Sequence, residues 1–238
     1  MPSPRPRIAP LPPEQWDERL RRVLELSPGG TAEPMHIFAT LARADSVNPD
    51  LFRRWMGFGA ALLGGTLPAR LRELVILRTA YRFDGRYEWA QHLEMGEARG
   101  VTRPEMAALG DGAEGGLDSV QWTPLERAAL AAVDDTADAG AVSDVTWAAL
   151  SEHLSDGEMI ELLMLLAHYL MLTTVLRSLR MELEPRAEAW ALSVPGGPAP
   201  EADGTKPGAN PAAKPAPSAN PAPSANPAAN PAANPPDR

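Results

Sequence analysis

The side chains best suited to chemistry are concentrated between residues 67 and 100, where Glu73, Glu88 and His92 are the candidate catalytic groups. Glu88 and His92 are four residues apart, so on a helix both side chains project from the same face. A carboxylate within reach of an imidazole fixes its tautomer and raises its basicity, and such a pair transfers protons at neutral pH. The alternative for Glu88 alone is a charge that complements the helix dipole in a first turn.

Glu73 belongs to the preceding predicted helix and is expected near His92 only if the Asp-Gly sequence at 84–85 folds the two helices antiparallel. It would then supply a second carboxylate to the same point. The alternative interpretation of Glu73 is a surface ion pair with Arg70 or Arg72. The sequence pattern leaves both interpretations open.

Other side chains near the pair have two interpretations each. Tyr87 and Trp89 flank Glu88 and either line a pocket or belong to the core. Two carboxylates and an imidazole also suit a divalent metal, but we expect no metal site, because no second histidine or further carboxylate cluster has ligand spacing. His168 lies in an apolar stretch, and we interpret it as a hydrogen-bonded core histidine rather than a catalytic one.

The elements that must position these residues are helices. The sequence predicts a helix from Leu67-Pro68 to about Phe83 and another from about Arg86 to Arg99, closed by Gly100. Capping-box spacing begins three later helices, and the most apolar helix is predicted from about Asp156 to Leu183. No strand pattern competes, so the predicted class is all-α.

The composition limits the domain organisation and the partners. The chain has 238 residues, no cysteine and a net charge of -9. The charge argues against nucleic-acid binding, and the missing cysteines exclude disulfides and thiolate nucleophiles. We predict an extended arm over residues 1–12, one helical domain over 13–190, and a disordered Ala-Asn-Pro-rich tail over 191–238.

The N-terminus has no apolar signal segment, and the longest apolar run, Leu162 to Leu176, is interpreted as too short to cross a bilayer. These features predict a cytoplasmic protein that binds a small molecule and neither a membrane nor a nucleic acid.

Residues 72–101, RELVILRTAYRFDGRYEWAQHLEMGEARGV, resemble the helical signature of the carboxymuconolactone decarboxylase-like family, which includes the alkylhydroperoxidase AhpD. The segments WTPLERAALAAVDD, SDVTWAAL and IELLMLLAHYLMLTTVLRSL extend the resemblance to roughly residues 7–185. It implies an AhpD-like helical bundle that assembles through helical faces as a homo-oligomer, a trimer or a hexamer.

In AhpD-type peroxidases the motif is a Glu, a Cys-x-x-Cys and a His four residues after the second Cys. Glu73 and His92 match the Glu and the His, whereas the cysteine positions fall on Gly85 and Glu88. Without a thiolate there is no peroxidatic nucleophile and no disulfide to recycle. The peroxiredoxin activity attached to the family by name is therefore disfavoured for this chain.

The decarboxylase-type members are more similar, because they carry Glu-x-x-x-His where Glu88 and His92 stand. The resemblance implies cofactor-independent proton transfer, such as decarboxylation or isomerisation of a lactone or keto-acid-like molecule. His92 would act as general acid and base, oriented by Glu88, with Glu73 as a second relay. Arg78 or Arg82 would hold a substrate carboxylate. The competing hypothesis is a non-catalytic helical oligomer that binds a ligand or partner.

Overall fold

The computed structural model describes residues 5–26, 32 and 34–199. These ranges contain helices and no strand, which confirms the all-α prediction. The α-helices are α1 Glu18–Glu25, α2 His36–Leu41, α3 Leu51–Leu63, α4 Ala69–Arg82, α5 Arg86–Ala98, α6 Arg103–Leu109, α7 Pro124–Ala139, α8 Asp144–Ser151, α9 Asp156–Leu179 and α10 Pro185–Ser193. Short 3-10 turns lie at Pro13–Gln15, Ala42–Ser46 and Gly116–Ser119.

Local sequence signals set the starts of three helices. In each, a Thr or Ser side chain accepts from the third backbone N–H, while a Glu at that position accepts from the cap. Both exchanges satisfy amides that the helix itself leaves unpaired. The predicted capping boxes are thus confirmed for α6, α7 and α9, at Thr102, Thr123 and Ser155.

Helix α4 lies at the centre of the fold. Every residue from 71 to 80 is buried, and α4 packs against α5, α7 and α9. Val75 and Ile76 join one apolar cluster with α7 and α9, whereas Leu74 and Leu77 join another with α5 and α6. A helix buried on all sides holds its side chains in fixed positions, so α4 is a rigid base for Glu73.

The C-terminal part of the fold differs from the sequence prediction. Helix α9 ends at Leu179, because Arg180 adopts a left-handed conformation with a φ of 53°. Pro185 does not end α9 but begins α10, since proline is tolerated in a first turn. Val194 is buried and the Gly197 N–H donates to the Gly110 carbonyl at 2.9 Å. The packed chain therefore extends beyond the predicted boundary at 190, and the tail from residue 200 lies outside the described residues.

Helix α9 is long and apolar enough, by length and composition, to cross a bilayer, in contrast to the interpretation of its apolar run as too short. Half of that stretch is buried inside the protein, and a core helix of a globular protein gives the same signal. Its exposed side carries Ile160, Met164 and Met171. Helix α9 is thus a core helix with one apolar stripe left uncovered.

Candidate active site

The turn at 84–85 folds α4 and α5 into an antiparallel hairpin. Asp84 takes a left-handed conformation with a φ of 57°, and the Gly85 N–H donates to the Ala80 carbonyl at 2.7 Å. The reversal places the start of α4 beside the second half of α5, so that Glu73 and His92 meet. The condition that the sequence left open for Glu73 is therefore met.

Glu73 and His92 form a buried pair. The Glu73 Oε2 atom lies 2.7 Å from Nδ1 of His92, and Glu73 has an exposed fraction of 0%. Arg99 Nη1 lies 3.1 Å from the other carboxylate oxygen. A carboxylate only accepts, so Nδ1 carries the hydrogen and the lone pair of a neutral ring is left on Nε2. Glu73 is thus the residue that orients His92.

This geometry corrects the expected role of Glu88, which was predicted to orient His92. Glu88 is buried, and neither of its carboxyl oxygens has a hydrogen-bond partner among the other described residues. Burial raises the pKa of the Glu88 carboxyl to about 7, since an apolar environment disfavours the charged form. Glu88 is therefore a carboxyl group able to hold or release a proton near neutral pH.

A cavity of about 310 Å³ with mostly apolar walls lies between α3, α5 and α9, and we call it the apolar cavity. Glu88 and His92 are one helical turn apart on α5 and both line it. The rest of its wall is mostly apolar and aromatic, with Leu26, Met35, Ile37, Phe38, Trp55, Met56, Gly59, Ala60, Leu63, Tyr87, Gln91, Met95, His168, Tyr169 and Leu172. Small-molecule sites have this character, a dry cavity with few polar groups.

His168 and Tyr169 of α9 are wall residues that the sequence interpretation missed. Nδ1 of His168 is buried without a hydrogen-bond partner among the described residues, which contradicts the hydrogen-bonded core histidine expected there. Burial lowers the pKa of His168, so its ring is neutral at pH 7. The Tyr169 ring meets His92 edge-on, with centroids 5.0 Å apart. The adjacent His and Tyr in an apolar helix were the available signal.

Three of the predicted substrate-binding residues are not brought to the apolar cavity. Trp89 is buried in the cluster around α5 and α6, which makes it a core aromatic. Arg78 pairs with Asp134 at 2.8 Å, and Arg82 pairs with the same carboxylate at 2.7 Å. These arginines join α4 to α7 and do not line the cavity.

Tyr87 does line the apolar cavity, but its hydroxyl is already engaged. The Tyr87 O–H donates to Glu184 at 2.6 Å and accepts from the Ile37 N–H at 3.3 Å. Burial beside the Glu184 carboxylate raises its pKa well above the ordinary value. Tyr87 therefore shapes the wall and is not a free proton donor.

Gly85 stands at one of the two cysteine positions of the AhpD motif, and its surroundings suit only a residue without a side chain. A Cβ added there would lie 2.5 Å from Thr173 Oγ1 and 3.1 Å from Glu88 Oε2. Thr173 Oγ1 is itself buried without a partner among the described residues. Thr173 and Glu88 thus fill the space where the two thiols of that motif would stand.

The sequence comparisons agree with the resemblance read from the hairpin. Residues 49–135 match the model of the carboxymuconolactone decarboxylase family. This segment belongs to the carboxymuconolactone decarboxylase family. It runs from the start of α3 into α7, so Glu73, Glu88 and His92 lie inside the family segment and His168 lies outside it. No curated protein sequence matches the chain.

Solved structures, an AhpD-type protein among them, share the fold. A cysteine-to-alanine variant of the debrominase Bmp8, in complex with 2,3,4-tribromopyrrole, superposes with a TM-score of 0.66 at 16% identity, over 81% of this chain and 99% of that chain. A peroxidase-related protein from Ralstonia eutropha JMP134, described as an alkylhydroperoxidase AhpD core, gives 0.63 at 18% identity, over 76% and 94%. At these identities the likeness shows the fold alone.

Proposed function

We propose that this carboxymuconolactone decarboxylase family protein catalyses proton transfer at carbon on a small, mainly apolar molecule, as in the decarboxylation or isomerisation of a lactone or keto-acid-like compound. One observation carries the proposal. The buried Glu88 carboxyl, which has no hydrogen-bond partner among the other described residues, lies one helical turn from a carboxylate-oriented imidazole in the wall of the apolar cavity. Pairs of titratable groups in different environments take different parts in acid and base chemistry.

The two groups have complementary parts in this mechanism. Nε2 of His92 takes a proton from a substrate C–H, and the Glu73 carboxylate stabilises the imidazolium that forms. Glu88, protonated below about pH 7, donates its proton to the carbon that becomes electron-rich. In a decarboxylation the C–C bond to the carboxylate breaks, carbon dioxide leaves, and the carbanion takes the Glu88 proton.

The two alternatives have less support. Hydroperoxide reduction of the AhpD type needs a thiolate, and the sequence has no cysteine. A non-catalytic ligand-binding oligomer would use the same cavity but leaves the buried Glu88 and the Glu73–His92 pair without a purpose. Unpaired buried polar groups cost about 1–3 kcal/mol each, which favours a functional reason for keeping them.

The test is turnover by the complete chain and two variants, His92→Gln and Glu88→Gln. A panel of carboxylated γ-lactones and β-keto acids is assayed for carbon dioxide release and for deuterium uptake in D₂O. We expect each variant to lower kcat/KM for deuterium uptake by about 100-fold or more, the usual contribution of general acid–base catalysis, and Glu88→Gln to do the same for carbon dioxide release. The matched control is Glu97→Gln, an exposed glutamate on the same helix that pairs with Arg103.

Deuterium uptake retained in His92→Gln would refute the assignment of His92 as the base. The non-catalytic alternative would be favoured if the natural chain turns over no member of the panel and the two variants bind ligands as tightly as the natural chain does. A rate that falls as the pH rises above about 7 is expected if Glu88 is the proton donor, because the donor form is then lost.

We also propose a homo-oligomer, a trimer or a hexamer, assembled through the uncovered stripe of α9. Ile160, Met164 and Met171 are 53, 49 and 44% exposed, and such an apolar stripe is typical of an interaction surface. The cytoplasmic location stays a prediction from composition.

A further inference from the structure

A second cavity of about 260 Å³ adjoins the proposed site. Tyr87 and Glu88 line both cavities, so the two cavities are adjacent at these residues. Leu172 of the apolar cavity and Leu176 of the second cavity are one turn apart on α9. The two spaces therefore follow each other along α9, with the Glu88 carboxyl between them.

Three half-buried arginines surround this second cavity, which we call the arginine cleft: Arg86, Arg177 and Arg180. The Arg180 side chain has no ion pair or hydrogen bond to any residue in the described ranges. Among the described residues, the Arg86 side chain pairs only with the exposed Glu188, at 3.4 Å. Arg177 donates to the Phe83 carbonyl at 3.1 Å and lies 3.6 Å from Asp84.

These guanidinium groups have donors to spare, in contrast to the arginines of α4. Arg78 donates two hydrogen bonds to Asp134, at 2.8 and 3.1 Å, and a third to the Leu109 carbonyl. Arg70 is held in the same way by Glu105 and Glu126. A guanidinium carries five N–H donors in a fork that fits a carboxylate, so the cleft arginines are available to an incoming anion.

The acidic residues around the cleft do not neutralise it. Glu182 and Glu188 line it but are exposed, so water screens their charge. Glu88 faces it from the buried side, where its neutral form is favoured. The half-buried arginines therefore set the charge that a ligand meets inside the cleft.

We propose that the arginine cleft binds the carboxylate of an amphipathic ligand whose apolar part occupies the apolar cavity, so that the ligand passes beside Glu88. The inference rests on the proposed function and adds the substrate class: a largely apolar monoanion that reaches both cavities. The carboxylate contacts fall to Arg86 and Arg180, and not to Arg78 or Arg82.

The experiment compares two probes of nearly the same size and shape, the anion 4-phenylbutyrate and the neutral 4-phenylbutyramide, by isothermal titration calorimetry on the complete chain. The variant is Arg86→Gln with Arg180→Asn, where asparagine is chosen because residue 180 has a positive φ. Arg177 is left in place, because it holds the last turn of α4. The matched control is Arg127→Gln, which replaces an exposed arginine of α7 that pairs with Asp118.

We expect the natural chain to bind the carboxylate more tightly than the amide, and the double variant to raise the Kd of the carboxylate about tenfold or more. The Kd of the amide should stay within about twofold. The control should bind both probes like the natural chain, since its charge lies away from the cleft.

Two results would overturn the subsite alone. One is equal affinity of the natural chain for both probes, and the other is an equal loss of affinity for both probes in the double variant. The proton-transfer proposal would then still stand or fall with the His92 and Glu88 variants. Failure of both probes to bind the natural chain would refute the subsite together with the apolar cavity as a ligand site.

Discussion

Replacing Glu88 by glutamine should make the stability of the protein less sensitive to alkaline pH, although it removes a proposed catalytic group. The pKa of Glu88 is about 7 in the folded protein and has an ordinary value of 4.5. The folded chain therefore binds this proton more tightly than the unfolded chain. The contribution of Glu88 to the free energy of unfolding falls as the pH rises from 4.5 to about 7, and then stays constant.

The magnitude follows from those two pKa values. At about 1.4 kcal/mol for each pKa unit, ionising the buried carboxyl costs about 3 kcal/mol at pH 8 and less than about 1 kcal/mol at pH 5. Glutamine has nearly the same shape and does not ionise. Its buried amide loses the same hydrogen bonds to water at pH 5 and at pH 8. The cost of burying the amide therefore cancels when the free energies of unfolding at the two pH values are compared. Relative to the natural chain, Glu88→Gln should thus gain about 2 to 3 kcal/mol between pH 5 and pH 8.

The assay is urea unfolding followed by circular dichroism at pH 5 and pH 8, at one protein concentration. With an m-value of about 2–3 kcal/mol/M, the midpoint of the variant should shift relative to the natural chain by about 1 M between the two pH values. Glu152→Gln, an exposed glutamate at the end of α8, serves as control and should show no such difference.

An effect of Glu88→Gln that is the same at pH 5 and pH 8 would refute the reasoning. It would mean that Glu88 ionises equally well in the folded and unfolded chains, so that water or another group reaches it. The assignment of Glu88 as a proton donor near neutral pH would then lose its physical basis.

Two further predictions concern packing and assembly. Gly85→Ala should lower the free energy of unfolding, measured by urea unfolding, by about 1–3 kcal/mol, because the new Cβ would lie 2.5 Å from Thr173 Oγ1. The loss should be much smaller when Thr173 is also replaced by alanine. An equal loss with and without Thr173→Ala would exclude this contact as the cause. The double variant Met164→Lys with Met171→Glu should shift the mass measured by light scattering toward the monomer, since charges are costly in an apolar interface. Assembly through α9 would be contradicted if the natural chain is already monomeric, or if the double variant has the same oligomeric mass as the natural chain.

Much of the fold was predictable because helix signals are local. The cap at Thr123 with its proline gave the start of α7, and Gly140 gave its end, as the structure confirms. The miss at α10 has a local reason too, since Pro185 was interpreted as the end of α9 but begins α10. The sequence pattern could not distinguish the two uses, because proline blocks a preceding helix and is accepted in a following first turn.

The sequence alone determined the residue types at the site: a histidine, two glutamates and no thiol in a hairpin of carboxymuconolactone decarboxylase type. Only the tertiary structure decided their partners. Glu73 pairs with His92 because the turn at 84–85 brings α4 against α5, whereas Glu88 is buried without a partner among the other described residues. His168 reaches the apolar cavity from a helix some seventy-five residues further along the chain. Spacing fixes which side chains share a helical face, but contacts between helices depend on how distant segments pack, and no local pattern carries that information.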